Sequence, residues 1–193
     1  MGGEAVMNEL LEIKTARLLL RPFTLADAVD VRKLAGDKEI AANALSIPYP
    51  YETNMAEEWI AKHPEWRARG EQIIFATVRA ADRLLLGAVG LTVSQRHQSA
   101  ELGYWIGRAY WGQGYASEAV AAAMRHAFGA LAINRVHAAC LTRNPASARV
   151  LEKAGMAHEG TRRQHVRHWG VFEDIEEYGI LRSDYEKTSR PQE

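Results

Sequence analysis

The chain has 193 residues, of which 47% are hydrophobic and 25% charged, a composition typical of an ordinary globular protein with one domain. Lysine and arginine total 24, as do aspartate and glutamate, so no excess of charge favours nucleic acid or a membrane surface as a partner. The single cysteine, Cys140, excludes an internal disulfide, and no basic start precedes a long apolar segment; we therefore expect a cytoplasmic protein without a signal peptide or membrane span.

Hydrophobic periodicity and turn residues predict the elements of the first hundred residues. After a loose lead-in over 1–14, with a short helical turn around residues 8–11, a strand over 16–21 ends at Pro22, and Thr24 caps a helix that continues to residue 35. Gly36 and Asp37 end that helix and begin a shorter one. A rigid proline-containing loop over 46–51 follows, and then a helix over 55–69 capped by Thr53. Three strands come next, over 73–78, 84–93 and 100–106. Gly87 and Gly90 in the second of these strands indicate a bulge or close packing.

A glycine-rich turn over 111–118 follows the strand that contains Glu101 and precedes a predicted helix over 116–130. Glycine permits positive φ and close approach to the backbone, and a helix N-terminus offers unpaired N–H groups, which suits a phosphate. No Gly-Lys-Ser/Thr follows, so the turn is not a Walker loop, and Ser117 at the third glycine position makes it a poor dinucleotide fingerprint. A plain helix-entry turn is the alternative.

The last part of the chain predicts a strand over 135–141, a helix that Asn144 caps and Gly155 ends, and a hairpin. The hairpin comprises strands over 158–167 and 171–181, and a polar tail begins at residue 186. The helix between the Glu101 strand and the strand that begins at Arg135 favours a parallel pair of strands joined by a crossover.

Several segments, in order, make the chain resemble the GNAT superfamily of N-acetyltransferases, most closely its branch of ribosomal-protein N-terminal alanine/serine acetyltransferases. They are TARLLLRP from Thr15, IPYPY from Ile47, ELGYWI from Glu101, YWGQGYASEA from Tyr110 and NPASARVLEKAGM from Asn144. The resemblance implies one α/β (α+β) domain over 15–185. Its fold would be a mixed, mostly antiparallel sheet of about seven strands flanked by helices, splayed between the Glu101 and Arg135 strands.

The resemblance also implies acetyl-CoA as the acyl donor, with the pyrophosphate at the glycine turn and the pantetheine arm between the splayed strands. The implied cofactor-binding residues are Trp105, Ile106, Trp111, Gly112, Gln113, Gly114, Tyr115, Ala116, Ser117, Asn144 and Ser147. Trp111 stands where the superfamily signature has glutamine or arginine, as is common in the branch named above. Because backbone N–H groups are expected to make the phosphate contacts, this departure leaves the CoA assignment in place.

Acyl transfer requires an amine to lose a proton and a thiolate to gain one. Position and resemblance favour Glu101 as the base, acting directly or through a water; a surface carboxylate without a role is the alternative. Glu118 competes, but in the first helical turn it is more simply a carboxylate that stabilises the helix dipole. The resemblance points to Ser147 as the donor near the CoA sulfur, and Asn144 is expected to cap its helix as well as to contact the cofactor.

The acceptor site is less defined by the sequence. Tyr49, Tyr51 and Trp59 are the candidate walls of an acceptor pocket, and ordinary core aromatics are the alternative. A basic run over 162–168 predicts a solvated hairpin face or a surface for an acidic acceptor, and His165 and His168 would face opposite sides of a strand, so we expect no metal site. The expected partner is an amine, either a protein N-terminus, which is favoured, or a small amine. The alternative function is that of a non-catalytic acyl-CoA sensor. The chain is expected to be a monomer or homodimer.

Overall fold

One eight-stranded sheet organises the chain, in the order β1-β2-β3-β4-β5-β6-β8-β7. This is a computed structural model, and it describes residues 12–189. The strands are Ile13–Lys14 (β1), Leu18–Arg21 (β2), Gln72–Arg79 (β3), Leu85–Ser94 (β4), Ser99–Ile106 (β5), Arg135–Leu141 (β6), Ala157–His168 (β7) and Val171–Leu181 (β8). The helices are Ala28–Ala35 (α1), Lys38–Asn43 (α2), Met55–Ala68 (α3), Tyr115–Ala130 (α4), Pro145–Lys153 (α5) and Arg182–Ser189 (α6), with short 3-10 turns at Leu25–Asp27 and Arg108–Tyr110.

The sheet is antiparallel everywhere except between β5 and β6, which run parallel with α4 as their crossover. Their register contains only three pairs, of which Glu101 with His137 is the last. After that pair the two strands separate, which confirms the expected splay. The separation matters because it leaves two neighbouring strand edges without each other as partners, and such edges can pair with an extended ligand.

Helices cover both faces of the sheet, and the strand alternation divides the core accordingly. Leu18 and Leu20 of β2 point to the face that α4 covers, whereas Leu19 points to the face of α1 and α3. The α4 helix supplies a continuous row of buried small and apolar side chains. Because both faces of the central strands are buried, they appear in the sequence as apolar runs, which is why those strands were predictable.

The differences from the predicted elements are local. Ile13 and Lys14, expected in the lead-in, pair with β2 as an eighth strand, and α6 continues through residues 186–189, which were expected in the tail. The cap predicted at Thr53 is wrong: Asn54, at a φ of 72°, is the N-cap of α3. A short helical turn predicted near residues 8–11 lies outside the described residues. No helix within 12–189 is long and apolar enough to cross a membrane.

Close packing explains Gly87 in β4. A Cβ at this position would lie 2.1 Å from the carbonyl oxygen of Trp105 on the neighbouring strand. The register of β3 and β4 also shifts between Thr77 and Val78, opposite this part of β4. Both a bulge and a close approach, as predicted, are therefore present beside the end of β5.

The buried imidazole of His63 predicts a pH-dependent stability. This side chain of α3 is 3% exposed, lies among the rings of Phe23, Trp59 and Trp66, and finds no hydrogen-bond partner for either ring nitrogen among residues 12–189. Burial, with the nearby charge of Arg67 in addition, lowers the pKa of His63 from 6.5 to about 4.

We expect the free energy of unfolding to fall as the pH drops from 6.5 toward 4, because the unfolded chain then binds a proton that folded His63 rejects. The loss approaches about 3 kcal/mol at the lower limit, and nothing is lost above that window. Urea unfolding of His63→Leu should show a flatter dependence on pH. His97→Leu, at an exposed turn residue, is the control. An unchanged pH dependence in His63→Leu would contradict the assignment.

Candidate functional site

A cleft of about 360 Å³ opens where β5 and β6 separate. It is bounded by the end of β5, the glycine turn, the first turns of α4 and α5, and α2 on the opposite side. Ten of the predicted cofactor-binding residues line it: Trp105, Ile106, Trp111, Gly112, Gly114, Tyr115, Ala116, Ser117, Asn144 and Ser147. The chain thus brings residues from 105 to 147 together at one end of the sheet.

The glycine turn has the backbone conformation that only glycine adopts without strain. Gly112 has a φ of 73° and Gly114 a φ of 81°, and Gly114 is the N-cap of α4. A Cβ at Gly112 would meet no atom within 4 Å, so the space beside this backbone is open. The first intrahelical hydrogen bond is donated by Glu118 N to Gly114 O, which leaves the N–H groups of the preceding first-turn residues available to an anion.

Trp111 fixes the start of this turn to the strand. Its indole Nε1 donates to the carbonyl oxygen of Ile106 over 2.5 Å, and 44% of the residue remains exposed. Gln113 does not line the cleft: its side-chain Nε2 donates to Ala109 O, and its own carbonyl oxygen accepts from Arg17 Nη1. Trp111 is therefore part of the cleft wall, and Gln113 lies on the outside of the turn.

The α5 helix begins in the cleft wall, and Asn144 caps it as predicted. Asn144 Oδ1 accepts from the backbone N of Ser147 over 3.1 Å, with Pro145 at the first helical turn. The Ser147 hydroxyl lies 2.7 Å from the phenol oxygen of Tyr104, and that phenol also donates to the Ser147 carbonyl over 3.1 Å. Burial raises the pKa of Tyr104, so the phenol is a protonated group at the cleft wall.

Tyr104 is a residue whose place in the site the sequence did not reveal. It lies in the ELGYWI segment, which was predicted as a strand without a role for this side chain. Cys140, on neighbouring β6, is buried, and burial raises the pKa of its thiol to about 11. It is therefore a buried, protonated thiol that packs as a small apolar residue.

Glu101 lies where β5 and β6 begin to separate and does not line the cleft. It is exposed, faces Thr92 on β4 and His137 on β6, and belongs to the last pair before the strands separate. Strand alternation places Glu101, Gly103 and Trp105 on one face. A Cβ at Gly103 would meet nothing within 4 Å, so the space beside the strand between Glu101 and Trp105 is open on this face.

Glu118 is engaged in hydrogen bonds elsewhere. Its carboxylate accepts from Thr15 Oγ1 at 2.6 Å, from Arg17 N at 2.8 Å and from Arg17 Nε at 2.7 Å. Partial burial alone would raise the pKa of Glu118, but these hydrogen bonds outweigh it and hold the pKa below its usual range. An ionised carboxylate with three donors is a poor proton acceptor, which leaves Glu101 as the candidate base.

Comparison with known proteins decides the family. The protein-family model for the acetyltransferase (GNAT) domain matches residues 17–157 of the sequence. The chain belongs to the GNAT acetyltransferase family. It is 31% identical over 180 residues to the probable N-acetyltransferase YjcK of Bacillus subtilis, which covers 91% of this chain and 99% of that protein. Both the predicted family and the predicted class of enzyme, an acyltransferase acting on nitrogen, are thereby confirmed.

Two solved structures share this GNAT fold. The ribosomal-protein-S5-alanine acetyltransferase of Vibrio fischeri superposes with a TM-score of 0.80 at 20% identity, covering 94% of this chain and 100% of the other. The spermidine N-acetyltransferase of Vibrio cholerae, in complex with CoA and spermine, gives 0.77 at 23% identity, with coverages of 89% and 99%. At these identities they show the fold and leave the acceptor open.

None of the three aromatic residues predicted for the acceptor pocket lines the GNAT cleft. Trp59 and Tyr51 pack against the core beneath α1 and α3, with the Trp59 ring 5.0 Å from that of Phe23. Tyr49 is 46% exposed and lies 5.6 Å from the ring of Trp169 at the hairpin tip. Trp59 and Tyr51 therefore lie where the alternative of ordinary core aromatics places them, and Tyr49 belongs to the surface beside the hairpin.

Instead, α2 supplies the wall opposite α5, through Ile40, Asn43 and the following Ala44. Arg143 holds this short helix in place: Nη2 donates to Ala42 O over 2.6 Å and Nη1 to Asn43 Oδ1 over 3.1 Å. An arginine that caps the last carbonyls of a helix satisfies groups that the helix itself cannot. No local pattern in the sequence could have revealed this contact, because its partners are 101 residues apart.

Two residues of the basic hairpin run contact other parts of the chain. Arg162 pairs with Glu177 at 2.9 Å, and His168 contacts the carbonyl oxygen of Ala41 at 3.1 Å. Among residues 12–189, no group of three or more histidine, cysteine, aspartate or glutamate side chains is placed to hold a metal ion. The hairpin tip therefore supports α2 at the edge of the cleft.

Proposed function

We propose that this GNAT protein transfers an acetyl group from acetyl-CoA to a primary amine, with a protein N-terminal α-amino group as the leading acceptor. The observation that carries the proposal is the cleft itself, which joins two separated strand edges to a glycine turn at a helix N-terminus. An elongated molecule with amides at one end and a pyrophosphate at the other matches that sequence of features.

The chain supplies groups that would bind each part of CoA. The open backbone at Gly112 and the N–H groups after Gly114 would hold the pyrophosphate. The strand edges beyond Glu101 and His137 would pair with the pantetheine amides. Bound there, acetyl-CoA would supply an activated acyl group, and the remaining roles fall to the chain's own side chains.

The proposed reaction is direct attack in a ternary complex. The amine, with a pKa of about 8 for an α-amino group, loses a proton to Glu101 directly or through a water. Its nitrogen then bonds to the acetyl carbon as the carbon–sulfur bond breaks, and the nitrogen releases its second proton to solvent. The sulfur gains a proton from the hydroxyl pair of Ser147 and Tyr104, which solvent reprotonates. The Ser147 hydroxyl is hydrogen-bonded to a phenol, which is not a base, and burial keeps the thiol of Cys140 protonated. Neither Ser147 nor Cys140 is therefore an activated nucleophile that could form an acyl-enzyme.

The acceptor class is the open part of the proposal. The fold neighbours comprise a ribosomal-protein alanine acetyltransferase and a spermidine acetyltransferase, one protein acceptor and one small polyamine. The resemblance of the sequence to the ribosomal-protein branch favours the protein acceptor. We propose the cytoplasm as the location, on the basis of the single cysteine.

A thiol-release assay tests the function. The protein is incubated with acetyl-CoA and either a panel of peptides with different free N-termini or a panel of polyamines and aminoglycosides. Peptide-dependent release of CoA supports the proposal, and release with small amines only moves the acceptor to the second class. Binding of CoA without turnover on any amine would instead indicate an acyl-CoA sensor.

Removal of either hydroxyl of the Ser147–Tyr104 pair should slow turnover. We expect Ser147→Ala and Tyr104→Phe each to lower kcat by about 10- to 100-fold, because the leaving thiolate loses its proton donor. The double variant should be little worse than either single one, since the hydroxyls act as one hydrogen-bonded unit. Steady-state kinetics with thiol detection measures this, and fully additive losses would contradict a shared role.

A further inference from the structure

The guanidinium of Arg17 makes an unusual set of contacts at the outer side of the glycine turn. Arg17 immediately precedes β2, yet its Nε donates to Glu118 Oε2 over 2.7 Å and its Nη1 to the carbonyl oxygen of Gln113 over 2.9 Å. Its Cζ lies 4.7 Å above the ring centre of Tyr115. One side chain thus contacts the turn, the first helical residue and the first-turn carboxylate of α4.

Glu118 completes the arrangement from the helix. Besides the guanidinium, it accepts from the backbone N of Arg17 at 2.8 Å and from Thr15 Oγ1 at 2.6 Å. Its side chain is 17% exposed, against 47% for that of Arg17. These contacts span more than a hundred residues of chain and fix the start of α4 to the segment that enters the sheet.

The geometry points to Arg17 and Glu118 as a clamp that sets the orientation of the phosphate-binding turn. We define the clamp as these two side chains; it rests on the proposed binding of CoA at this turn. In a planar trans peptide the N–H of Gly114 points opposite to the carbonyl of Gln113. Because Arg17 holds that carbonyl, the N–H of Gly114 is directed away from Arg17. Gly114 itself lines the cleft.

The clamp acts through position, not through charge. The positive charge of Arg17 lies against the carboxylate of Glu118 at 2.7 Å, so the pair adds little net charge to the turn. A group that merely attracted phosphate would work better without Glu118. A positioning pair, in contrast, fails when either member is lost, and Arg17 and Glu118 are thus positioning residues for donor binding.

Calorimetric titration with CoA tests the clamp. We expect Arg17→Ala and Glu118→Ala each to raise the Kd for CoA by about tenfold, and the double variant to be no weaker than the worse single variant. Arg135→Ala is the matched control: it removes another arginine–glutamate pair, that of Arg135 with Glu159, which does not line the cleft, and should bind CoA like the wild type.

A second ligand distinguishes loss of the turn's orientation from a general destabilisation of the cleft. Acetyl-pantetheine lacks the pyrophosphate, so its Kd, measured by NMR titration, should be the same for the wild type and both clamp variants. Equal weakening of both ligands, an unchanged Kd for CoA in Arg17→Ala, or tighter binding of CoA in Glu118→Ala would each overturn the clamp. Wild-type protein that binds no CoA would overturn the proposed function as well, whereas the other outcomes leave that function standing.

Discussion

Gly114→Val should raise the Kd for CoA by about 100-fold, which corresponds to about 2.7 kcal/mol. Two effects combine. Gly114 has a φ of 81°, a conformation that a β-branched residue adopts only with strain. In addition, a Cβ at this position would lie 3.3 Å from Arg17 Nη2, so a valine side chain would crowd the guanidinium that holds the carbonyl of Gln113 in the turn. Calorimetric titration with CoA measures the change directly.

Gly170→Val is the matched control for backbone strain. Gly170 has nearly the same φ, 84°, but lies in the turn of the β7–β8 hairpin, where a Cβ would meet no atom within 4 Å. This variant should lose thermal stability to a similar extent and keep its affinity for CoA. If Gly114→Val bound CoA like the wild type, or Gly170→Val lost as much affinity, the turn would not be the phosphate site.

Elements specified by local signals were predictable from the sequence. The bounds of β6 agree with the predicted 135–141, and the capping of α5 by Asn144 needs only the three following residues. The glycine turn is of the same kind, because a positive φ is encoded by the residue that adopts it. These local features, in order along the chain, also carried the family resemblance.

The parts of the site that were not predicted depend on contacts between distant segments. Arg143 reaches the carbonyl of Ala42, and Arg17 reaches Glu118, each across about a hundred residues. A short amphipathic helix such as α2 looks the same in the sequence whether it borders a cleft or open solvent. Likewise, Tyr104 lines the cleft, whereas Trp59 remains in the core; side-chain type alone does not distinguish the two.

Glu101→Gln should lower kcat by about 100- to 1000-fold at neutral pH and leave the Kd for CoA unchanged. Glutamine keeps the size of the side chain but cannot accept the proton of the amine. Donor binding should not change, because Glu101 lies outside the cleft wall, at the closed end of the separated strands. Turnover is measured with an amine that the thiol-release assay identifies, and binding of CoA by calorimetric titration.

His137 makes this experiment more specific, because it is the partner of Glu101 in the last parallel pair and could also accept a proton. His137→Gln is therefore the companion variant. If Glu101 is the base, His137→Gln should retain most of the activity. Loss of turnover in His137→Gln with activity kept in Glu101→Gln would move the base to β6. Loss in both would make the pair a unit, with one group taking the proton and the other holding it in position at the point where the strands separate.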